Sequence, residues 1–353
     1  MKIMIASDGL HAHYYERMAW AKAFNASGNI VSVWDINNTP VFDAFDRFEP
    51  DVFLGQSYNM NRALYQCIKE RPHLKVGLRA GDWGDFDKNV DRQRYNILFA
   101  DPLEVDLLRK LKDETGKPDF VHIHYDADAV KVTHNKWDQS GIKSLSIMMS
   151  ADIFDYTDGV SQPEYESDIA FVGGYWPYKA QIIDRYLTPL CYPLGKYSIK
   201  IYGNQRWRVP QYMGFADNTQ VKDILASAKI CPNLSEPHAQ EFGFDVNERC
   251  FKLLSNKCFC ISDNVASLKK IFDGNGVVFS EEPEEFQGLV DHYIKNPEER
   301  DAHIQKGYAN VMSNHTNFHR AAEIFSGLGL EKKSQECLSV LNHIKTTAGL
   351  NVH

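Results

Sequence analysis

Three turns in the second half of the chain have residue types suited to an anion. In Asp168–Lys179 (DIAFVGGYWPYK) an apolar run leads into Gly173-Gly174, and Pro177 then opens a helix carrying Lys179. Paired glycines let backbone approach a ligand closely, and a lysine just inside a helix adds a positive charge, so the stretch reads as a phosphate cradle. It is not a complete GxGxxG fingerprint. Ile201–Trp207 (IYGNQRW) ends a second apolar run at Gly203, with Arg206 and Trp207 behind it, a cation and an aromatic face for a phosphate and a base. Arg249 falls in the first turn of a predicted helix capped by Asp245 or Asn247. A guanidinium there opposes the helix dipole unless an anion lies nearby or Glu248 neutralises it. The polar loop before that helix offers Glu236, His238 and Glu241.

The first half has its own candidates. Ser7-Asp8-Gly9-Leu10-His11-Ala12-His13 follows the first apolar run, so Asp8, His11 or His13 is placed to take a proton from a hydroxyl. Asp82 ends a similar stretch, Arg79–Asp82. The His-x-His pair has no third ligand beside it, and no metal site is expected.

Positioning these turns requires strands whose carboxyl ends share one edge. Apolar runs at 2–6, 30–34, 51–54, 76–79, 97–100 and 120–123 alternate with helical periodicity at 14–26, 61–69 and from Asp101-Pro102 to about 112. A polar, irregular segment over 140–167 reads as a linker. A second alternating series follows, with strands at 168–172, 198–202, 229–234, 258–262 and 276–279, and helices at 179–187, 219–227, 283–295, 297–312, 319–325 and 333–344. Two successive doubly wound parallel sheets are the expected fold, with domains at 1–160 and 161–325. A C-terminal helix and tail over 326–353 are expected to pack back on the first.

Composition narrows the class. At 353 residues and a formal net charge of −8, with the acid excess mostly in the first half, the chain lacks the basic balance of a typical nucleic-acid binder. No apolar run approaches the roughly 20 residues of a membrane span. Seven cysteines without paired ligand spacing read as small buried residues, and reduced thiols without an export signal suggest the cytoplasm.

Taken together, the motifs of Asp168–Phe325 resemble the CgeB-like branch of the GT-B glycosyltransferases, near the group 1 family of sucrose and glycogen synthase relatives. They are Asp168-Ile169-Ala170-Phe171-Val172-Gly173, Tyr202-Gly203, Tyr212-Met213-Gly214, Ala228-Lys229-Ile230-Cys231-Pro232-Asn233, Asn247-Glu248-Arg249-Cys250-Phe251-Lys252, Asp263, Pro283-Glu284-Glu285, and His315-Thr316 with Arg320-Ala321. The resemblance implies a GT-B fold of two Rossmann-like domains facing a cleft, with an acceptor-binding N-terminal and a nucleotide-sugar-binding C-terminal domain. It adds Tyr202, Asn233, Asn247, Glu248 and Lys252 to the donor-binding candidates Gly173, Gly174, Lys179, Gly203, Arg206, Glu236 and Arg249. Lys252 stands where relatives have the glutamate that holds the donor ribose, with Glu248 one turn earlier.

The implied activity is transfer of a hexose or pentose from a nucleotide-sugar, a UDP-sugar first among them, to an acceptor hydroxyl. No cofactor is expected, and no metal ion, since no Asp-x-Asp pair is read at a strand end. The acceptor is a glycan or protein, or hydroxymethylcytosine in phage DNA met by Arg62, Arg79, Arg92, Arg94 and Arg109. The alternative is a non-catalytic nucleotide-sugar-binding or sensor protein, which Lys252 in place of the glutamate favours.

Overall fold

The computed structural model describes residues 1–9, 12–81 and 102–349. By compactness the chain divides into two units. Met1–Met148 together with the helices from Asn317 onward form unit 1, and Met149–Thr316 form unit 2. From sequence the boundaries are expected after residues 160 and 325.

Unit 1 is built on β1 (Lys2–Ser7), β2 (Ile30–Asp35), β3 (Val52–Gln56), β4 (Lys75–Arg79), β5 (Phe120–Ile123) and β6 (Ser144–Ser146). They form one parallel sheet in the order β2-β1-β3-β4-β5-β6. Interior strands such as β3 and β5 are buried along their whole length, as expected where helices cover both faces. The expected strand at 97–100, like His11 and Asp82, lies outside the described residues. The expected linker over 140–167 instead contains β6, a three-residue edge strand paired with β5.

Unit 2 is built on β7 (Ser167–Val172), β8 (Ile199–Tyr202), β9 (Tyr212–Gly214), β10 (Ala228–Asn233), β11 (Cys260–Asp263) and β12 (Val277–Ser280), in the order β12-β11-β10-β7-β8-β9. Its pairs are also all parallel. Each sheet grows outward on one side of its first strand and then crosses to the other. The order therefore reverses between β1 and β3 in unit 1, and between β7 and β10 in unit 2. Connections leave in opposite directions at such a reversal, which opens a crevice at the strands' carboxyl ends where ligands bind.

All seven cysteines are buried and free, as read from their spacing. Four of them, Cys231, Cys250, Cys258 and Cys260, belong to one apolar cluster of unit 2. Among the described residues no helix is long and apolar enough to cross a membrane.

The final helices Asn317–Gly327 and Glu331–Thr347 belong to unit 1. Phe325 stacks edge-on against Phe24 of helix Ala12–Ala26, ring centres 5.0 Å apart, both fully buried. The buried Asn317 amide donates to the Ala19 carbonyl at 2.9 Å. Unit 1 thus requires the chain to return after unit 2. Phe325→Ala leaves a large void at this contact and is expected to lower the stability of unit 1 by about 3–5 kcal/mol, read as a shifted denaturant midpoint.

Candidate functional site

In unit 2, Arg249 opens helix Glu248–Ser255, and its guanidinium spans the strand reversal. Nε donates to the Val172 carbonyl at 3.4 Å and Nη1 to the Leu234 carbonyl at 3.2 Å, which tie it to the ends of β7 and β10. It lies over the Phe171 ring, 4.6 Å from the centre. Gly173 is required by this arrangement, since a Cβ there would sit 2.7 Å from Arg249 Nη2. The glycine read as room for a ligand is first room for the guanidinium.

Lys179, in the first turn of helix Pro177–Tyr186, is only 7% exposed. Its ammonium rests 5.1 Å from the centre of the Trp176 ring and has no hydrogen-bond partner among the described residues. Burial first, and the Arg249 charge second, lower its pKa to about 7, against the pull of Glu236 and Asp263. Glu236 precedes the short helix Pro237–Phe242, and burial raises its carboxyl pKa although Lys179 opposes the shift.

The loop that carries Glu236 is fixed from below. Asp263, at the end of β11 and fully buried, accepts the Ser235 amide at 2.9 Å, the Ser235 hydroxyl at 3.0 Å and the Gln240 amide at 2.7 Å. His238 stacks on Tyr178, with Nδ1 2.9 Å from the Tyr178 hydroxyl and Nε2 3.0 Å from Asp245 Oδ2. That contact joins the loop to the helix bearing Lys179. On the other side Gly203 presses on the Gly173 turn, where an added Cβ would lie 2.2 Å from the Gly173 carbonyl oxygen. Trp207 Nε1 donates to that same oxygen at 3.3 Å, and its ring packs on Phe171 and Tyr175.

Of the residues read from sequence, Gly173, Lys179, Gly203, Glu236 and Arg249 therefore gather at the carboxyl ends of β7, β8 and β10. Others do something else. Asn233 is fully buried and donates to the Ser262 hydroxyl at 2.9 Å. The Asn247 amide reaches the Ser235 hydroxyl at 3.4 Å. Tyr202 points into a separate apolar cluster with Ala170, Ala216 and Ile224, because alternate residues of β8 face opposite sides. Gly174 abuts the Trp176 ring, and Arg206 lies exposed in the loop after β8. Lys252 is paired with Glu248 at 2.9 Å and sits 4.8 Å from the centre of the Tyr156 ring. Burial works against that ammonium, but Glu248 and Tyr156 outweigh it and its pKa is raised.

In unit 1, Asp8 bridges the β1/β3 reversal. Its Oδ1 accepts from Arg17 Nη1 at 3.1 Å and its Oδ2 from the Tyr58 hydroxyl, just past β3, at 2.9 Å. His13 lies 3.7 Å from the buried Glu16 carboxylate. Burial, then the Arg79 charge, lower the His13 pKa to about 4, so its imidazole is neutral at pH 7. Glu16 is held at about 2, where His13 and Arg79 together outweigh a burial cost that alone would raise it. Glu16, Arg17 and Tyr58 were not singled out from sequence, although the i,i+3 spacing of His13 and Glu16 on a helix was a usable signal.

Two expectations fail here. Arg79 is not a surface residue that meets phosphates: it is 9% exposed at the end of interior strand β4, with Nη2 3.2 Å from His124 Nδ1. Arg92 and Arg94 lie outside the described residues. An Asp-x-Asp does follow a strand, at Asp126 and Asp128 after β5, but Asp126 is spent as a helix cap on the amides of Asp128 and Ala129. Among the described residues no three His, Cys, Asp or Glu side chains are gathered to hold a metal ion.

Residues 185–326 match the family described as glycosyl transferase-like. Among solved structures, T4 phage BGT in complex with its UDP-glucose substrate is 13% identical, over 98% of this chain and 99% of that one, with a TM-score of 0.55. Anabaena Alr3699/HepE in complex with UDP is 12% identical over 93% and 100%, with a TM-score of 0.60. Sucrose-phosphate synthase from Thermosynechococcus elongatus is 10% identical over 92% and 98%, with a TM-score of 0.61. No curated protein is similar enough in sequence to match. These findings bear out the GT-B fold class and the expected resemblance to glycosyltransferases.

The contact between the two glycine turns gives a direct test. Gly203→Ala drives a methyl into backbone that no rotamer change can clear, and is expected to cost about 1–3 kcal/mol. Gly288→Ala, on an open helix face with nothing within 4 Å, is expected to be neutral or stabilising by up to about 1 kcal/mol. Thermal melts of the two variants compare them.

Proposed function

We propose that this chain is a glycosyltransferase that takes a sugar from a UDP-sugar and delivers it to an acceptor hydroxyl, with the donor held by unit 2 and the acceptor by unit 1. One observation carries the donor half. Two cations, Lys179 and Arg249, lie together at the carboxyl ends of β7 and β10, and Lys179 is nearly buried without a hydrogen-bond partner among the described residues. A diphosphate supplies the missing negative charge. UDP or UDP-glucose in the complexes of two structural neighbours supports the same donor class.

The chemistry follows from charge. As the bond between the anomeric carbon and the diphosphate oxygen breaks, negative charge grows on that oxygen, where Lys179 and Arg249 stabilise it most. The acceptor oxygen forms the new glycosidic bond, and its proton passes to a basic group of unit 1, with Asp8 and the neutral His13 as the described candidates. In this reading the two side chains meet the diphosphate charge that a metal ion would otherwise meet, so chelation of divalent cations leaves turnover unchanged.

Titration with UDP by calorimetry tests the donor site. Lys179→Ala and Arg249→Ala each remove a charge-assisted contact and are expected to weaken binding about 10- to 100-fold. Lys229→Ala removes a charge at the opposite end of β10, where Lys229 pairs with Asp168, and leaves the Kd within about twofold. Equal UDP affinity in all three variants contradicts the assignment. UDP-glucose that binds but is never turned over, with any acceptor, points instead to the non-catalytic sensor.

A further inference from the structure

Unit 1 has a cavity of about 580 Å³ at the β1/β3 reversal, lined by residues of β1, β2 and β3 and by the loops and helix starts that follow β2 and β3. Among the described residues, none that lines it is charged. We propose that it binds a neutral saccharide, as the acceptor subsite of the transferase reading, on which the word acceptor rests.

Five amide side chains, Asn37, Asn38, Gln56, Asn59 and Asn61, line it together with Phe42 and Trp34. An amide offers both a donor and an acceptor, which matches a hydroxyl that also does both. Part of this capacity is already used. Asn37 donates to the Asp8 carbonyl at 3.2 Å, Asn38 donates to Asp35 Oδ2 at 2.6 Å, and Asn61 Oδ1 accepts the Leu64 amide at 2.9 Å. The Asn37 and Asn38 carbonyl oxygens and the Asn61 amino group have no partner among the described residues. Phe42 is 37% exposed and supplies an apolar face for the C–H side of a sugar ring, while Trp34 and Phe53 are buried. With one open aromatic and several amides, the walls suit a hydroxyl-rich ring better than a flat base between two stacked rings. A nucleic acid brings phosphates that need cations, and the described lining residues offer none. The size falls within the roughly 300–1,000 Å³ of small-molecule sites.

The cavity is linked to the candidate chemistry. Asn37 holds the Asp8 backbone, and the Gln56 amide on its wall contacts Arg17, whose other partner is the Asp8 carboxylate.

Saturation-transfer NMR on the full chain tests this, with maltose, cellobiose and N,N′-diacetylchitobiose as probes and cytidine and a short DNA duplex as competitors. The expected result is transfer to at least one disaccharide, weakened about fivefold or more by Phe42→Ala and by Asn38→Asp. Affinity should stay within about twofold between 50 and 500 mM salt, because no ion pair is made. Both substituted side chains are exposed, and circular dichroism checks the fold; Asn37→Asp serves if either variant unfolds. Absence of transfer to all three disaccharides, transfer unchanged in the variants, or displacement by cytidine or DNA overturns the inference. UDP binding retained while saccharide binding fails removes this inference alone. Saccharide binding without UDP binding removes the transferase reading and leaves the cavity's ligand class standing.

Discussion

Unit 2 depends on a single side chain set across the place where its strand order reverses. Arg249 bonds the carbonyls that end β7 and β10, and the Phe171 face lies under it. Carbonyl dipoles orient a guanidinium but leave its net charge in place. Lys179 adds a second positive charge nearby, and each disfavours the other, which is part of why the lysine pKa falls. Glu236 and Asp263 compensate in part, and Asp263 is largely occupied with Ser235 and Gln240. Both cationic side chains are partly desolvated as a result, a cost that a neighbouring anion relieves. The glycines at 173 and 203, the Trp207 prop and the His238–Asp245 contact all serve to keep that arrangement in register.

The two units share a topology and differ in what their strand ends hold. At the β1/β3 reversal of unit 1 the charges answer one another: Asp8 is satisfied by Arg17 and Tyr58, and Glu16 lies beside His13 and near Arg79. The described residues lining the neighbouring cavity are uncharged. One unit therefore suits a polyanionic group and the other a polar neutral one. The proposed transfer of a sugar from a diphosphate to a hydroxyl would need such a division of labour.

The alternation of strand and helix was legible because parallel strands covered on both faces read as continuous apolar runs, while their helices show a 3.6-residue period. β6 and β9 were missed, since three-residue edge strands are too short to show any period. The short helix Pro237–Phe242 was read as a polar loop for the same reason. Lys179 and Arg249 were legible as cations near strand ends. Their burial was not, because it comes from Trp176 and Phe171 and from strands distant in sequence. Tyr202 and Asn233 show the opposite error: position at a strand end was read correctly, but the side chains turn into the packed interior. Arg79 failed in the same way, as a charged residue on an interior strand whose partner, His124, lies beyond the next strand's end.

Proton uptake on UDP binding tests most directly whether Lys179 meets a diphosphate. At pH 8 a lysine with a pKa near 7 is mostly neutral, and a bound diphosphate restores its charge. Calorimetry of UDP binding at pH 8, in buffers of different ionisation enthalpy, is predicted to show net proton uptake by the unsubstituted protein and none in Lys179→Ala. UDP binding with no proton uptake by the unsubstituted protein, or with the same uptake in Lys179→Ala, would contradict the account.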